Sequence, residues 1–267
     1  MADPVLYDLT DGLATLTLNR PDAMNALDTA TKELLRDLLQ EVAQDPAVRA
    51  VLLTATGRAF CVGQDLKEHV AGLRAEGEAG EGAGSMDTVR AHYNPITLAL
   101  AQMPKPVVAG VNGVAAGAGC GFALAADHRV VADTATFNTS FAGVALTADS
   151  GVSWTLPRLV GPGRAMDLLL FPRSIGAEEA HRLGMVDRVV PAAELAAEAA
   201  RVARTLAKGP TAAYAALKES VAYAGDHSLA QALEREAVLQ ARAGASEDHR
   251  IAVEAFLRKE RPDFVGR

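Results

Sequence analysis

Val107-Val108-Ala109-Gly110-Val111-Asn112-Gly113-Val114-Ala115-Ala116-Gly117-Ala118-Gly119-Cys120-Gly121 is the stretch that decides the fold. Its first five residues predict a buried strand, a glycine-rich turn follows, and a helix is expected over Ala116–Ala126. A further strand at Arg129–Val131 completes a strand–helix–strand unit. Such units cross over right-handed between parallel strands. The start of the helix offers unpaired N–H groups and partial positive charge to an anion. Three readings of the glycines stand side by side. Small residues let a helix lie close to a sheet. A dinucleotide fingerprint needs G-x-G-x-x-G, which Gly117-x-Gly119-x-Gly121 misses, and these glycines lie too far beyond the strand. An oxyanion site needs one N–H at the helix start and a second converging on the same point. The loop Gly63-Gln64-Asp65, which follows a predicted strand at Val48–Thr54, is placed to supply that second donor.

Outward from this stretch the pattern is mixed α/β. Val5–Leu9 and Leu13–Asn19 alternate around Asp11-Gly12, a hairpin signal. Asp28 precedes apolar residues at Leu34, Leu35, Leu38, Leu39 and Val42, a capped helix. Ala71–Ser85 is rich in Gly, Glu and Ala and is expected as a mobile surface loop or frayed helix. A helix is expected over Met86–Gln102, ended by Pro104 and Pro106. After Pro191 the pattern is almost purely helical, near Ala192–Lys208, Thr211–Tyr223, Ser228–Ala241 and Glu247–Arg258. The division expected is an α/β core over residues 1–200 and a helical region over 201–267.

Composition narrows the function. In 267 residues, 49% apolar and 22% charged content fits a globular protein with a sizeable core. A net charge of −7 argues against a binder of nucleic-acid backbones, and 4% aromatics leaves few stacking platforms. The span Pro106–Ala126 is broken by five glycines and an Asn, so no membrane segment is expected. The N-terminus shows no signal-peptide pattern. Two cysteines, Cys61 and Cys120, suit packing in a reducing cytoplasm better than a disulfide framework or nucleophilic role. The six histidines have no paired metal-ligand spacing, so no metal site is expected.

The motifs taken together resemble the crotonase, or enoyl-CoA hydratase/isomerase, superfamily from Leu13 to Phe264. The landmarks are Leu18-Asn19-Arg20-Pro21 with Asn25-Ala26-Leu27, Phe60-Cys61-Val62-Gly63-Gln64-Asp65-Leu66, Lys105 through Gly121, Leu156-Pro157-Arg158-Leu159-Val160-Gly161 and Ala180-x-x-x-Gly184-Met185-Val186-Asp187. The resemblance implies a spiral of β-β-α units with a helical C-terminal extension. It also implies that backbone N–H groups at Gln64 and Ala118 bind the thioester oxygen of an acyl-CoA and stabilise an enolate. Coenzyme A enters as part of the substrate, and no other cofactor is implied.

The resemblance also tests the acid/base groups. Hydratases of this superfamily use two glutamates, and the matching positions here are Gly121 and Phe141, neither of which transfers a proton. Eight residues after Phe141 stands Asp149, within Ala145-Leu146-Thr147-Ala148-Asp149-Ser150-Gly151. The sequence looks most like the ring-1,2-epoxyphenylacetyl-CoA isomerase group, in which an Asp at this position is the acid/base. Tyr93-Asn94-Pro95 and Trp154-x-Leu156-Pro157-Arg158 share that likeness. From the residues alone, the favoured reading of Asp149 is the commoner one, a cap for a helix starting near Ser150 or Gly151; the resemblance favours the acid/base role, and the two roles are compatible. Asp65 reads as a cap, Asp127 and Asp133 as turn-fixing groups, and Trp154 as core or pocket wall.

The resemblance places the CoA and acyl groove at Met24, Ala26, Val62, Asp65, Leu66, Gly117, Phe141 and Val144. Phe256 and Lys259 complete it from the last helix, often that of a neighbouring subunit. It implies a homotrimer or a dimer of trimers, and the amphipathic helical tail needs a partner surface. The expectation is a cytoplasmic acyl-CoA isomerase that shifts a double bond or opens a ring epoxide. An enoyl-CoA hydratase and a non-catalytic acyl-CoA-binding protein are the alternatives.

Overall fold

Asp11 and Gly12 both adopt positive φ, 51° and 78°, the twist that a two-residue hairpin requires. They join β1 (Val5–Thr10) to β2 (Leu13–Leu18) antiparallel, with Thr10 paired to Leu13. The Asp28 carboxylate accepts the Thr31 N–H at 2.9 Å and starts α1 (Thr29–Gln44), as its sequence position predicts. These elements belong to a computed structural model that describes residues 2–79 and 86–267.

Three strand pairs then repeat, each followed by a helix. They are β3 (Ala50–Ala55), β4 (Ala59–Cys61) and α2 (Leu66–Ala79), with α3 (Asn94–Gln102) after it; β5 (Val107–Val111), β6 (Val114–Ala116) and α4 (Ala118–Ala125); and β7 (His128–Ala132), β8 (Thr136–Asn138) and α5 (Val152–Val160). Beyond them come α6 (Pro162–Leu170), β9 (Ile175–Gly176), α7 (Ala177–Arg182) and β10 (Arg188–Val190). The first strand of each pair joins one sheet, ordered β1-β2-β3-β5-β7-β10, and the second joins another, ordered β4-β6-β8-β9. Pairing is parallel except in β1–β2 and β8–β9. This is the β-β-α spiral that the resemblance implied. Strand β5 is a continuous apolar run, and β3 and β7 are apolar over residues 50–53 and 130–132, because these stretches are covered on both faces.

Several boundaries differ from expectation for identifiable reasons. Val114–Ala116, expected as turn and helix start, is strand β6, and α4 begins only at Ala118. The helix expected over Met86–Gln102 is a single π-turn at Val89–Tyr93 running into α3, where Pro95 has no N–H to continue the earlier ladder. The Ala71–Ser85 loop is helical through Ala79, and 80–85 lie outside the described residues. Trp154 is not core: it is 49% exposed and stacks under the Arg158 guanidinium at 3.9 Å.

The C-terminal helices are α8 (Leu195–Ala207), α9 (Thr211–Ala224), α10 (Leu229–Gly244) and α11 (Glu247–Arg258). The expected division at 200/201 falls inside α8, whose Leu195, Ala199, Ala203 and Ala207 are buried. Gly110 on β5 makes room for the Ala199 methyl. The tail folds back to the core: Asp248 accepts the Val265 N–H at 2.7 Å, and Arg49 donates to Phe264 O at 2.8 Å and Gly209 O at 2.7 Å. No helix among the described residues is long and apolar enough to cross a membrane.

One of the tightest joints lies between α4 and β4. A Cβ at Gly119 would stand 2.2 Å from the Cys61 carbonyl oxygen, which belongs to a strand and cannot move aside. Gly119→Ala is expected to cost about 3 kcal/mol in urea unfolding, as overpacking of a core does. A methyl added at Gly163 in α6 would meet nothing within 4 Å. Gly163→Ala is expected to be neutral or to stabilise by up to about 1 kcal/mol. Equal midpoints for the two variants would contradict this packing.

Candidate active site

Two short backbone segments meet above the glycine-rich stretch. One is the loop after β4. Leu27 donates its N–H to Gly63 O at 2.8 Å and accepts from the Asp65 N–H at 3.1 Å. Because a trans peptide holds its C=O and N–H in opposite directions, the Gly63 carbonyl bond turns the Gln64 N–H away from Leu27. The other segment is the turn into α4. Gly117 takes φ 52° and ψ −125°, a conformation open to glycine, donates to Asn138 O at 3.0 Å and accepts the Gly121 N–H at 3.1 Å. The Ala118 N–H is then the first free donor of the helix. A Cβ on Gly63 would lie 3.3 Å from Ala118 N and 3.1 Å from Ala116 O, so the two segments are in contact. Among the described residues, no protein acceptor engages the Gln64 or the Ala118 N–H.

Polar contacts lock this loop from behind. Arg20 donates to Asp65 Oδ2 at 3.2 Å, to Asp28 Oδ2 at 3.0 Å and to Ala26 O. Buried Asn25 accepts the Arg20 N–H at 2.7 Å and donates to Thr56 O at 2.9 Å and Ala59 O at 2.8 Å. Met24 and Asn25 both take positive φ, so the segment needs these bonds to hold it. Asp65 caps α2 through the Lys67 and Glu68 N–H groups, at 3.0 and 3.4 Å. Burial alone would raise its pKa, but Arg20 and these amides hold it below the usual carboxylate range. The cap predicted for Asp65 is therefore present.

Asp149 lies at the other side of α4. Its side chain accepts the Ser150 hydroxyl at 2.8 Å, and only its backbone carbonyl meets the Val152 N–H, at 3.0 Å. The N-cap of α5 is Gly151, with no side-chain cap, so the capping alternative for the Asp149 carboxylate is not what the structure shows. Ser150 and Gly151 are consecutive left-handed residues, φ 49° and 74°, and this turn presents Asp149. Burial pushes the Asp149 pKa up, and the Ser150 hydroxyl offsets part of that. A Cβ at Gly121 would lie 2.6 Å from both Ser150 Cβ and Ser150 O. The position matching the first hydratase glutamate is thus filled by the segment that carries Asp149. Phe141, matching the second, is buried and apolar.

The remaining groove candidates divide. Val62, Asp65, Leu66 and Gly117 belong to the two segments just described, and Met24 and Ala26 to the stretch over residues 20–27 that braces the first of them. Val144 follows Phe141 on an exposed turn and is 61% exposed. Phe256, 81% exposed, does not pack against its own last helix, and Lys259 ends α11 in left-handed conformation. Cavities of about 370 and 490 Å3 flank α8 and share no residue with this site. No group of three or more metal-ligating residues occurs among the described residues. Cys61 and Cys120 are fully buried, with pKa values pushed up to about 12 by burial, so they are inert packing groups.

A polar cluster behind the loop lies outside the motifs read from sequence. Lys32 Nζ donates to Gln64 Oε1 and to Glu68 Oε1, both at 3.2 Å, and the Tyr93 hydroxyl donates to the same Gln64 oxygen. Burial works upward on Glu68, but the Thr29 amide and hydroxyl and Lys32 hold its pKa below the usual range. The available signal was Lys32 itself: a charge at the i−3 position from Leu35, on the apolar stripe of α1.

The raised Asp149 pKa has a sign that stability reads. A carboxyl whose folded pKa exceeds its unfolded value adds stability below the unfolded pKa and loses it as pH rises through the folded one. Asp149→Asn is therefore expected to raise the urea midpoint at pH 7.5, with the gain shrinking as pH falls toward 4. A variant less stable than the parent at pH 7.5 would contradict the burial argument.

With the fold and site in view, similarity to known proteins is informative. The Enoyl-CoA hydratase/isomerase family model matches residues 8–267. A protein of Rhodobacter capsulatus named a probable enoyl-CoA hydratase is 41% identical over 263 residues, 98% of each chain. The 1,2-epoxyphenylacetyl-CoA isomerase of Escherichia coli is 39% identical over 267 residues, 100% of each chain. A crystal structure from Mycobacterium abscessus with the family's description superposes with TM-score 0.93 at 47% identity, covering 98% of this chain and 100% of that one. These relatives carry both hydratase and isomerase names. Fold, motif order and full-length similarity agree that the chain belongs to the enoyl-CoA hydratase/isomerase family.

Proposed function

We propose that this protein is an acyl-CoA isomerase in which one carboxylate, Asp149, moves a proton between two carbons of an unsaturated thioester. The observation that carries the reading is the Gly121–Ser150 contact. It leaves no room for a glutamate side chain at 121 and sets Asp149 beside α4 in its place. Hydration by the two-glutamate route has neither of its carboxylates, because Phe141 stands at the other position.

The reaction begins with a 3-enoyl-CoA whose thioester oxygen accepts the Gln64 and Ala118 N–H groups. Ionised Asp149 removes a proton from carbon 2. The C–H electron pair forms a carbon–carbon double bond to the thioester carbon, and the carbonyl pair moves onto oxygen. The two N–H donors hold that developing charge, a contribution of about 3 kcal/mol each. Protonated Asp149 then returns its proton to carbon 4: the carbon 3–carbon 4 double-bond pair forms the new C–H bond, the carbon 1–carbon 2 pair moves between carbons 2 and 3, and the oxygen pair re-forms the carbonyl. The product is the conjugated 2-enoyl-CoA, with no atom gained or lost. A ring-epoxidised acyl-CoA is the alternative substrate of the same group, since its opening passes through an equivalent enolate.

The rest of the proposal follows the family groove. Met24, Ala26, Val62, Asp65, Leu66, Gly117, Phe141 and Val144 line the CoA and acyl path. Phe256 and Lys259 complete it from a second copy in a homotrimer or a dimer of trimers, which their exposure in the single chain favours. The buried free thiols favour a reducing, cytoplasmic setting.

Asp149→Asn is expected to lower turnover of a 3-enoyl-CoA by about 1000-fold or more while leaving CoA-ester affinity within a few-fold, because the oxyanion donors are backbone groups. Unchanged turnover would overturn the assignment. The base must be ionised in the free enzyme. The parent kcat/KM is therefore expected to rise with pH and level off above a pKa higher than the ordinary aspartate value of about 4. An acidic limb at or below that value would contradict the buried-base reading.

A further inference from the structure

We infer that Tyr93 is a positioning residue for the thioester site, acting through the Gln64 side chain to hold the Gln64 backbone N–H in line. The inference rests on the oxyanion reading above and adds a residue to it. Tyr93 is the last residue of the π-turn and is 2% exposed. Its ring meets Phe122 of α4 edge-on, at 6.0 Å between centroids and 71° between planes. That packing leaves the hydroxyl one direction, toward Gln64 Oε1. Burial, and the charge of Asp149 after it, push the phenol above its ordinary range, so it is a proton donor at every working pH.

The amide oxygen of Gln64 is filled by two donors, Tyr93 Oη and Lys32 Nζ. An amide oxygen offers two lone pairs, so its acceptor capacity is used up and its orientation is fixed. Lys32 is itself 2% exposed and tied to Glu68, whose carboxylate takes the Thr29 N–H at 2.8 Å. The side chain of Gln64 is thus held by α1 and by the π-turn before α3.

The backbone of the same residue needs that hold. The N–H in question sits on the peptide between Gly63 and Gln64. Gly63 lies at φ 84° and has the rotational freedom of glycine on its side of that peptide. Leu27 fixes the carbonyl end. On the other side the Asp65 N–H donates to Leu27 O at 3.1 Å, and the held Gln64 side chain adds a third restraint to these two backbone bonds. Loss of the Tyr93 hydroxyl releases one of the two holds on the half-buried Gln64 amide oxygen and leaves one lone pair without its protein donor. The N–H is then aimed by the two Leu27 bonds alone, and its angular spread widens toward the thioester oxygen, where direction matters most.

The experiment uses the full chain with cinnamoyl-CoA, a conjugated thioester whose absorbance moves to longer wavelength when its carbonyl is polarised. Wild type, Y93F, Q64M and the double variant are compared for that shift at saturation. Their kcat and KM on a 3-enoyl-CoA and their Tm are measured alongside. The expected result is a red shift in wild type that falls by about half or more in Y93F and in Q64M, with kcat down about 10-fold and KM within about 3-fold. The double variant is expected to match Q64M, because Tyr93 acts through Gln64 and the two effects do not add. A wild-type shift and kcat in Y93F would overturn the inference. So would a Y93F loss of equal factor in the Q64M background, which marks a packing role. If Y93F lowers Tm and fails to fold, wild-type shift and kcat in Q64M overturns the inference by itself. A wild-type protein that fails to bind or shift cinnamoyl-CoA, or an Asp149→Asn variant that keeps full turnover, overturns the underlying reading instead.

Discussion

Backbone rests on backbone where the β5–β6–α4 stretch passes between its neighbours, and the rest of the structure depends on that contact. A Cβ at Gly113 would fall 2.1 Å from the Arg58 carbonyl, one at Gly119 2.2 Å from that of Cys61, and one at Gly121 2.6 Å from that of Ser150. Three glycines thus let one segment touch the β4 strand on one side and the Asp149 turn on the other. Two-sided contact of this kind sets distances that side chains cannot hold as closely, because main chain has no rotamers to relax. It brings the Gln64 loop, the start of α4 and Asp149 together although they come from three successive β-β-α units.

The proposed chemistry draws on the same constraint. An oxyanion site is effective when its donors need no reorganisation as charge develops. Here the peptide before Gln64 is set by Leu27, and the one before Ala118 is set by the first α4 hydrogen bond and by Asn138. Asp149 is held by two consecutive left-handed residues, one of them a serine, a backbone state that costs free energy and recurs at functional sites. Burial that makes Asp149 a stronger base also makes it a burden on stability at neutral pH, the usual trade between the two. The free thiols of Cys61 and Cys120 are buried packing groups of the same core.

Much of this was legible in the residues, and the gaps have physical causes. Asp11-Gly12 and Asp28 carry their roles in local chemistry, and the structure shows the hairpin and the cap where the sequence places them. Strand β6 was hidden because Val114–Ala116 is only three residues long, and its partners β4 and β8 are remote in sequence. The π-turn before Pro95 was hidden because periodicity does not separate it from an α-turn over five residues. For Asp149, sequence chemistry alone favours a helix cap, and only the family resemblance points to an acid/base role. Only three-dimensional placement shows that α5 is not capped by that carboxylate. The Lys32–Gln64–Tyr93 cluster joins residues from α1, the β4 loop and the π-turn, and no sequence window contains all three.

The most direct test of the central claim follows a 3-enoyl-CoA with the purified protein in oxygen-18 water, by ultraviolet absorbance and mass spectrometry. A single-carboxylate isomerase yields conjugated 2-enoyl-CoA of unchanged mass, with absorbance rising as the double bond moves into conjugation. Product carrying the mass of labelled water would contradict the account. It would show that the protein adds water to the double bond without a carboxylate at position 121 or 141.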